Sequence, residues 1–195
     1  MKSGVLIILI FFTAQFRIIC QTSKDADIVI IRTELGNITV KPDMERAPVT
    51  SQNFLRYVDS GLYRNSSFYR VVKMDNQPEN KIKIEVIQGG RFENENNGFD
   101  PVVHESTAMT GIRHLDGTIS MARMEPGTAT SEFFICVGDQ PELDFGGNRN
   151  PDGQGFAAFG KVIGGMDVVK KIHSIKAPYQ YLEKPVKIYN IIRVK

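Results

Sequence analysis

The feature that most constrains the fold of this chain is a series of short apolar runs separated by turn residues. Each run is about as long as a single β-strand, and several alternate apolar with polar residues, as half-exposed strands do. Eight runs have this character, at residues 28–33, 38–41, 68–74, 81–88, 117–122, 132–137, 156–162 and 186–194. Eight short strands predict a mainly-β fold whose sheet closes into an antiparallel barrel, because closure removes exposed sheet edges.

Two stretches of the sequence have helical character. Residues 47–61 place Pro48 near the start of an apolar stripe and Gly61 just past its end, which are common boundary signals. Residues 164–174 place Asp167 early and basic residues late, an order that suits the helix dipole. The expected fold is therefore a closed eight-stranded antiparallel β-barrel capped by two α-helices.

The first 20 residues are separable from the rest of the chain. Lys2 precedes an unbroken apolar run of eight residues at 5–12, which polar residues then interrupt. A bilayer-spanning helix needs about 20 apolar residues, so this run is too short to span and is typical of a secretory signal peptide. The sequence therefore predicts an exported protein, either periplasmic or extracellular.

Cys20 leaves the processing step open. Cleavage after Cys20 would release a chain that begins at Gln21, whereas lipid attachment to Cys20 would give an anchored bacterial lipoprotein. An uncleaved anchor is the third alternative. Either processed form has a polar leader at residues 21–27, a single domain at residues 28–195 and no membrane span.

Charge and cysteine content exclude several classes of protein. Removal of residues 1–20 takes Lys2 and Arg17 from the 24 basic residues, which leaves 22 basic against 22 acidic residues. A chain without a basic excess is not expected to bind nucleic acid. The remaining thiol, Cys136, has no partner for an intrachain disulfide, and its apolar neighbours predict a small core residue.

Sequence motifs for metal binding, hydrolysis and phosphate binding are missing. The three histidines do not have H-x-x-x-H or H-E-x-x-H spacing, and there is no G-x-S-x-G elbow or phosphate-binding glycine loop. His104 and Glu105 are expected in a solvated loop. Residues 148–155 begin like a calcium loop, but Phe159 stands where a bidentate glutamate belongs, so a long turn is expected. No metal or cofactor is predicted.

Two strand-like segments place single polar residues among apolar ones. In "FYRVV", Arg70 alternates with Tyr69 and Val71 across the strand. In "VIQGG", Val86 and Gln88 share one face. Pattern alone leaves Arg70 open as an ordinary surface residue of a strand.

A third segment, "TSEFFICVG", places a carboxylate and an aromatic ring on one face of a strand. Glu132, Phe134 and Cys136 point the same way, and the apolar residues between them point the other way. The second set is expected to pack on the opposite face. The pattern alone leaves open why a carboxylate and an aromatic ring share one face at the mouth of the strand.

Several stretches together resemble the cyclophilin family of peptidyl-prolyl cis-trans isomerases. They are "APVTSQNFLRYVDSGLY", "FYRVV", "VIQGG", "GTISMAR", "SEFFICVG" and "GFAAFGKVIGGMDVV", which follow the family order across residues 28–195. "MAR", "TATSEFFI" and "APYQYLEKPVKI" are most similar to the secreted, periplasmic bacterial branch. The resemblance implies an eight-stranded barrel with a helix closing each end, and an enzyme that accelerates rotation about X–Pro peptide bonds.

The resemblance also implies roles for particular residues. Arg70 matches the catalytic hydrogen-bond donor, and Gln88 matches a residue that hydrogen-bonds the substrate. The residues that match the proline pocket and the peptide-binding edge are Phe134, Val86, Leu143, Phe156, Ala122 and Arg123. Phe156 stands where many members have histidine and bacterial members often have tyrosine, so it keeps the aromatic wall without a polar tip.

This chain departs from the family pattern at three acidic residues and at one insertion. Glu85 and Glu142 stand where the family has aromatic residues, and Glu132 replaces a glutamine that lies near Arg70. A carboxylate there would either position Arg70 or draw its donors away from the substrate. About ten extra residues around 73–84 would lengthen a hairpin near the site, as a partner-docking ribbon or simply as a longer loop.

The expected function is peptidyl-prolyl isomerisation in proline-containing segments of exported or unfolded proteins, which would assist their folding. A monomer without cofactors is expected. The alternative is a proline-peptide binding module or chaperone with little turnover, which the three acids would favour. A structural or adhesive surface protein would need repeats or a stalk-like composition, and the sequence has neither.

Overall fold

A computed structural model of the chain describes residues 27–91 and 98–194. The predicted signal peptide at residues 1–20, its processing at Cys20 and nearly all of the polar leader at 21–27 lie outside the described residues. In the part of the chain that is described, no helix is long and apolar enough to cross a membrane.

Eight antiparallel strands close into one barrel. They are β1 Val29–Thr33, β2 Gly36–Pro42, β3 Ser66–Val72, β4 Val86–Gly90, β5 Thr118–Met121, β6 Phe133–Cys136, β7 Ala157–Gly164 and β8 Tyr181–Arg193. Their order around the barrel is β1-β2-β7-β5-β6-β4-β3-β8, which returns to β1. The predicted closed eight-stranded antiparallel barrel is therefore confirmed.

Within residues 27–91 and 98–194, three α-helices accompany the barrel. Both predicted helices are present, as α1 Pro48–Asp59 and α3 Met166–His173. A four-residue helix, α2 Thr107–Thr110, was not predicted, since a single turn has no helical periodicity to detect. Helix α1 packs against β7 and β8, and α3 packs against β2, β3 and β4.

Alternation along the strands divides the buried residues into two clusters. The inward side chains of β6, Phe133 and Ile135, belong to the large barrel core together with apolar residues of α1 and α3. The outward side chains, Phe134 and Cys136, belong to a smaller cluster outside the barrel. Cys136 is fully buried there, as the sequence predicted. The outer cluster is where the candidate site lies.

The strand predicted at residues 81–88 is wrong in its first half. Strand β4 begins at Val86, and the segment before it is a compact loop rather than a hairpin ribbon. Within this loop the Gln77 side chain, rather than a partner strand, bonds both backbone polar groups of Ile84. The Gln77 amide also donates to the carbonyl of Lys73, and the Asn76 amide donates to those of Val71 and Ala177. The backbone of Ile84 is therefore not available for a strand ladder.

A buried carboxylate from a distant loop caps helix α1. The helix begins with Pro48, and the preceding residue makes no side-chain cap. Instead, Glu105 accepts hydrogen bonds from the backbone N–H of Val49 and from both the N–H and the hydroxyl of Thr50. The anion also suits the positive end of the helix dipole. The solvated loop predicted for Glu105 is wrong, because only 8% of this residue is exposed.

We predict that Glu105→Gln lowers the free energy of unfolding by about 1–3 kcal/mol, because an amide replaces a charged acceptor of three hydrogen bonds. Urea unfolding followed by circular dichroism measures the change. Glu125→Gln, at an exposed position, is the matched control and should change stability little. Equal stability of the two variants would contradict the capping role.

Candidate active site

A single lateral row of residues crosses the neighbouring strands of the barrel. Arg70 of β3 lies opposite Gln88 of β4 on one side and Tyr181 of β8 on the other. Gln88 in turn lies opposite Phe134 of β6, and Phe134 lies opposite Ser120 of β5. The strand register thus brings together residues that are up to 111 positions apart in the chain, as Arg70 and Tyr181 are.

Strand β3 is irregular at Tyr69, and this irregularity shapes the site. The register against both β4 and β8 shifts between Phe68 and Arg70. Such a bulge lets two consecutive side chains point to the same side of a sheet. Tyr69 and Arg70 accordingly line one cavity, although the sequence predicted that they alternate. Strict alternation resumes at Val71, which is buried in the barrel core.

The cavity on the outer face of these strands has a volume of about 470 Å³. All nine residues that the family resemblance proposed for the site line it: Arg70, Gln88, Phe134, Val86, Leu143, Phe156, Ala122, Arg123 and Glu132. Eight further lining residues were not proposed: Tyr69, Ile84, Met124, Thr128, Thr130, Arg149, Asn150 and Tyr181. One of the walls is therefore supplied by segments outside the recognised motifs.

Phe134 forms an apolar floor that is held from two sides. The Phe156 ring meets it edge to face, with ring centres 5.4 Å apart, and the His114 ring stacks on it at 5.8 Å. Val86 and Leu143 complete the buried cluster around it. The arrangement gives a small apolar pocket of a size and rigidity that suit a ring such as that of proline.

His114 supports the floor from beneath and was not predicted as part of the site. Its side chain is fully buried, with Nδ1 2.7 Å from a carboxylate oxygen of Asp144 and Nε2 3.0 Å from the Ser120 hydroxyl. Burial works against the charged form of Asp144, but the hydrogen bonds from His114 hold the pKa of Asp144 below its ordinary value. Among the described residues no cluster could hold a metal ion, and His114 acts here as packing.

Arg70 is held by two glutamines. Its Nη1 donates to Oε1 of Gln88 at 2.8 Å, while Nε and Nη2 both donate to Oε1 of Gln180 at 3.1 and 2.6 Å. Burial lowers the pKa of Arg70 from its ordinary value, although a guanidinium remains charged. Three of its five N–H donors are used in this way. Two donors are left for a ligand in the cavity.

Gln180 was missed by the sequence reading, and its backbone shows why. Its φ of 70° lies in the left-handed region, which is uncommon for residues other than glycine. The conformation is kept by backbone bonds from Gln180 N–H to Ala177 and from Val71 N–H to Gln180, and by the Gln180 amide donating to the Asn76 carbonyl. The sequence pattern does not predict that Gln180 contacts Arg70, because the conformation of its loop depends on tertiary contacts.

A chain of hydrogen bonds with one permitted direction connects Glu132 to Arg70. An ionised carboxylate only accepts, so the Tyr69 hydroxyl donates to Glu132 at 2.6 Å. The Tyr69 oxygen in turn accepts from Nε2 of Gln88 at 2.7 Å. With its NH₂ group engaged there, Gln88 must turn Oε1 toward Arg70. The orientation of Gln88 therefore follows from the charge on Glu132.

The protonation of Tyr69 suits this direction. Burial and the nearby Glu132 charge together raise the pKa of Tyr69 far above its ordinary value, so its hydroxyl remains a donor. Glu132 is further fixed by the backbone N–H of Arg91. The Glu132 carboxylate also occupies the space where a side chain at residue 90 would lie, because a Cβ on Gly90 would overlap it. The φ of Gly90 is 147°, a value that side-chain-bearing residues rarely adopt. The last glycine of "VIQGG" thus makes room for this acid.

The expected direct contact between Glu132 and Arg70 is absent among the described residues, since Arg70 donates to Gln88 and Gln180 instead. The two other acids of the family comparison lie outside the cavity lining. Glu142 accepts from the backbone and side chain of Asn148. Glu85 lies 4.0 Å from His173. One of the three acids, rather than all three, therefore faces the cavity.

Arg123 lines the cavity and is bonded to the 148–155 turn. Its side chain is 1% exposed and donates to the carbonyls of Gly155 and Met124 and to the carboxylate of Asp152 at 2.8 Å. The guanidinium also lies over the Phe156 ring, 5.1 Å from its centre. Arg123 therefore holds the 148–155 turn against the site.

Comparison with known proteins gives the same family. Residues 28–195 match the family described as cyclophilin type peptidyl-prolyl cis-trans isomerase/CLD. Peptidyl-prolyl cis-trans isomerase A of Dickeya dadantii is 38% identical over 175 residues, which cover 86% of this chain and 84% of the relative. Peptidyl-prolyl cis-trans isomerase B of Escherichia coli is 37% identical over 151 residues, which cover 75% and 84%.

Solved structures show the same fold. A crystal structure of a Cryptosporidium parvum cyclophilin type peptidyl-prolyl cis-trans isomerase, determined in the presence of the dipeptide Ala-Pro, matches with a TM-score of 0.65. The match covers 86% of this chain and 99% of that chain at 22% identity. The barrel, the match over nearly all described residues and the two bacterial relatives agree, and the chain belongs to the cyclophilin family of peptidyl-prolyl cis-trans isomerases.

Proposed function

We propose that this chain accelerates X–Pro rotation in exported or unfolded proteins, with Arg70 as the catalytic donor. The enzyme class follows from the family, since the bacterial relatives are peptidyl-prolyl cis-trans isomerases. The compartment, the role in assisting folding and the residue roles are what the proposal adds. The observation that carries it is the position of Arg70 beside an apolar pocket, with three of its five N–H donors engaged by Gln88 and Gln180.

The reaction needs neither a nucleophile nor a metal. The barrier to rotation, about 18–20 kcal/mol, comes from amide resonance. Uncatalysed rotation takes tens to hundreds of seconds. An acceleration of about five decades corresponds to a barrier lower by roughly 7 kcal/mol. Rotation breaks no σ-bond, so a site that stabilises the twisted amide is sufficient.

Arg70 suits the twisted state better than the planar one. When the amide twists, the prolyl nitrogen regains a lone pair, and a fixed donor aimed at it stabilises the transition state selectively. Gln88 and Gln180 hold Arg70 from three of its donors and leave two for the substrate. The Phe134 floor would hold the ring while the flanking carbonyl turns. This preorganised donor and pocket support turnover.

The alternative of a binding module with little turnover loses its basis. It rested on three acids around the pocket, and two of them, Glu85 and Glu142, are absent from the cavity lining. The third, Glu132, is engaged by Tyr69 and by a backbone N–H, and takes none of the donors of Arg70. The isomerase therefore remains the function that the site supports best.

Export is supported by the apolar run at residues 5–12, which is too short to span a bilayer. The 37–38% identity to bacterial enzymes supports membership of the bacterial branch. The proposal is that the enzyme works in the periplasm or outside the cell, where newly exported chains would supply its X–Pro substrates. Attachment through a lipid on Cys20 is the alternative form of the same proposal.

Arg70→Ala should lower kcat/KM on a blocked X–Pro peptide by about 10²–10³-fold, as expected for loss of a preorganised donor. The kcat/KM of Arg70→Lys should lie between those of the wild type and Arg70→Ala, because an ammonium group cannot bond Gln88 and Gln180 as the planar guanidinium does. NMR exchange spectroscopy measures the rates. Equal rates for the wild type and Arg70→Ala would contradict the role of Arg70, and a wild type no faster than buffer would contradict the isomerase.

Tyr69→Phe should lower kcat/KM by about three- to tenfold, because Gln88 loses the acceptor that fixes its amide.

Glu132→Gln should lower kcat/KM by a similar factor, since an amide at 132 can donate to Tyr69 and so compete with Gln88. Glu142→Gln, outside the cavity, is the matched control and should match the wild type. A rise in rate for Glu132→Gln would mean that the acid opposes Arg70, contrary to this arrangement.

Expression of the full chain in a Gram-negative host should yield a protein that begins at Gln21, found in the periplasmic fraction and identified by its intact mass. A lipid-modified Cys20 would support the anchored alternative. Leu9→Arg interrupts the apolar run and should leave the chain unprocessed and inside the cell. A wild-type protein that retains residues 1–20 in the cytoplasm would overturn the export proposal.

A further inference from the structure

The cavity contains a second guanidinium that the proposed mechanism does not use. Arg149, from the 148–155 turn, lines the same cavity as Arg70 and is partly exposed to it. Burial and the neighbouring charge of Arg70 lower the pKa of Arg149, in keeping with two cations near each other. A pair of like charges in a substrate cavity is unfavourable unless something compensates it.

Arg149 is held rigidly by the loop that the insertion forms. Its Nη1 donates to Oε1 of Gln77 at 2.8 Å and to the carbonyl of Ile82 at 2.6 Å. Gln77 is itself buried and bonded to the carbonyls of Lys73 and Ile84. The extra residues around 73–84 therefore fix the side chain of Arg149. Neither a docking ribbon nor a structureless loop would make these contacts.

One edge of the Arg149 guanidinium remains open. Both hydrogen bonds of the Arg149 side chain come from Nη1, so Nε and Nη2 make none within the described residues. These two groups form the fork that binds a carboxylate with two parallel hydrogen bonds. Side-chain entropy has already been lost in fixing the arginine, so a ligand would meet a prepared donor pair.

The remaining charges of the cavity do not neutralise Arg149. Arg123 is paired with Asp152. Glu132 is bonded to Tyr69 and to the backbone at Arg91, and has no bond to Arg149. The described part of the cavity wall thus presents two arginines, Arg70 and Arg149, that form no ion pair there, against the one carboxylate of Glu132 and beside an apolar floor. Such a surface favours an anionic ligand.

We propose that Arg149 forms a carboxylate subsite beside the proline pocket, so that the enzyme prefers peptides with an acidic group next to the proline. This rests on the proposed isomerase function and deepens it by naming a substrate class. The carboxylate is either an acidic side chain flanking the proline or the free C-terminus of a chain that ends near it. In each case it accepts two hydrogen bonds from Arg149.

Three pairs of blocked peptides separate these sources. Two pairs compare Glu with Gln, at the residue before the proline or at the residue after it, and the third compares a free with an amidated C-terminus. NMR exchange gives kcat/KM, and titration gives Kd. We expect one pair to favour its acid by about three- to fivefold, as for a partly exposed ion pair. The preference should decline from about 0.01 M to about 1 M salt.

The variants assign any preference to Arg149. Arg149→Gln should abolish the preference for the acidic peptide, although its amide can still donate to the Ile82 carbonyl. Arg149→Lys should retain part of this preference. Lys161→Gln removes the same charge from an exposed site outside this cavity and should preserve the preference. Each preference is a ratio of two peptides on one protein, so a general loss of activity through loop disturbance leaves it unchanged.

Equal kcat/KM and Kd within every pair would overturn the subsite, as would a preference that survives in Arg149→Gln or is unaffected by salt. If no peptide is isomerised, the isomerase proposal fails, and the Kd ratios alone then decide the subsite. If Arg149→Gln does not fold, Arg149→Lys and the salt dependence of the wild type decide it.

Discussion

The site depends on one irregularity in the barrel, the bulge that aims Tyr69 and Arg70 to the same side of β3. In a regular strand one of them would face the barrel core, and the hydrogen-bond chain from Glu132 to Arg70 would have no middle member. The bulge therefore costs a ladder position but places a hydroxyl beside Gln88. The rest of the row, from Gln88 to Phe134 and Ser120, follows from ordinary antiparallel register.

Side chains fill the interior of the barrel, so the candidate site lies on its outside. The inward residues of β6 fill the core, and its outward residues form the floor of the site. Stability and function thus use opposite faces of the same strand, and a change at Phe134 acts on a different cluster from a change at Phe133. Rigid support comes from His114 below the floor and from Arg123 at its edge.

Much of this could be predicted from the sequence, because alternation and turn residues report directly on strands. The barrel, α1 and α3 follow from periodicity, and the ordered motifs gave nine residues that line one cavity. Tyr69 was placed on the wrong face because a bulge breaks the period of two. Gln180, Gln77 and Arg149 were missed because their roles depend on loop contacts between segments far apart in sequence.

The cap on helix α1 has a consequence for how the chain folds. Glu105 lies 55 residues after Thr50, and β3 and β4 stand between them in the sequence. During synthesis the helix leaves the ribosome long before its cap does. The first turn of α1 is therefore completed only when the barrel has brought residue 105 back to it. A contact between residues so far apart in sequence forms only after the chain has lost the entropy of closing the loop between them, and this slows folding. A peptidyl-prolyl isomerase thus has, in its own first helix, a step that waits until more than half of its chain has been made.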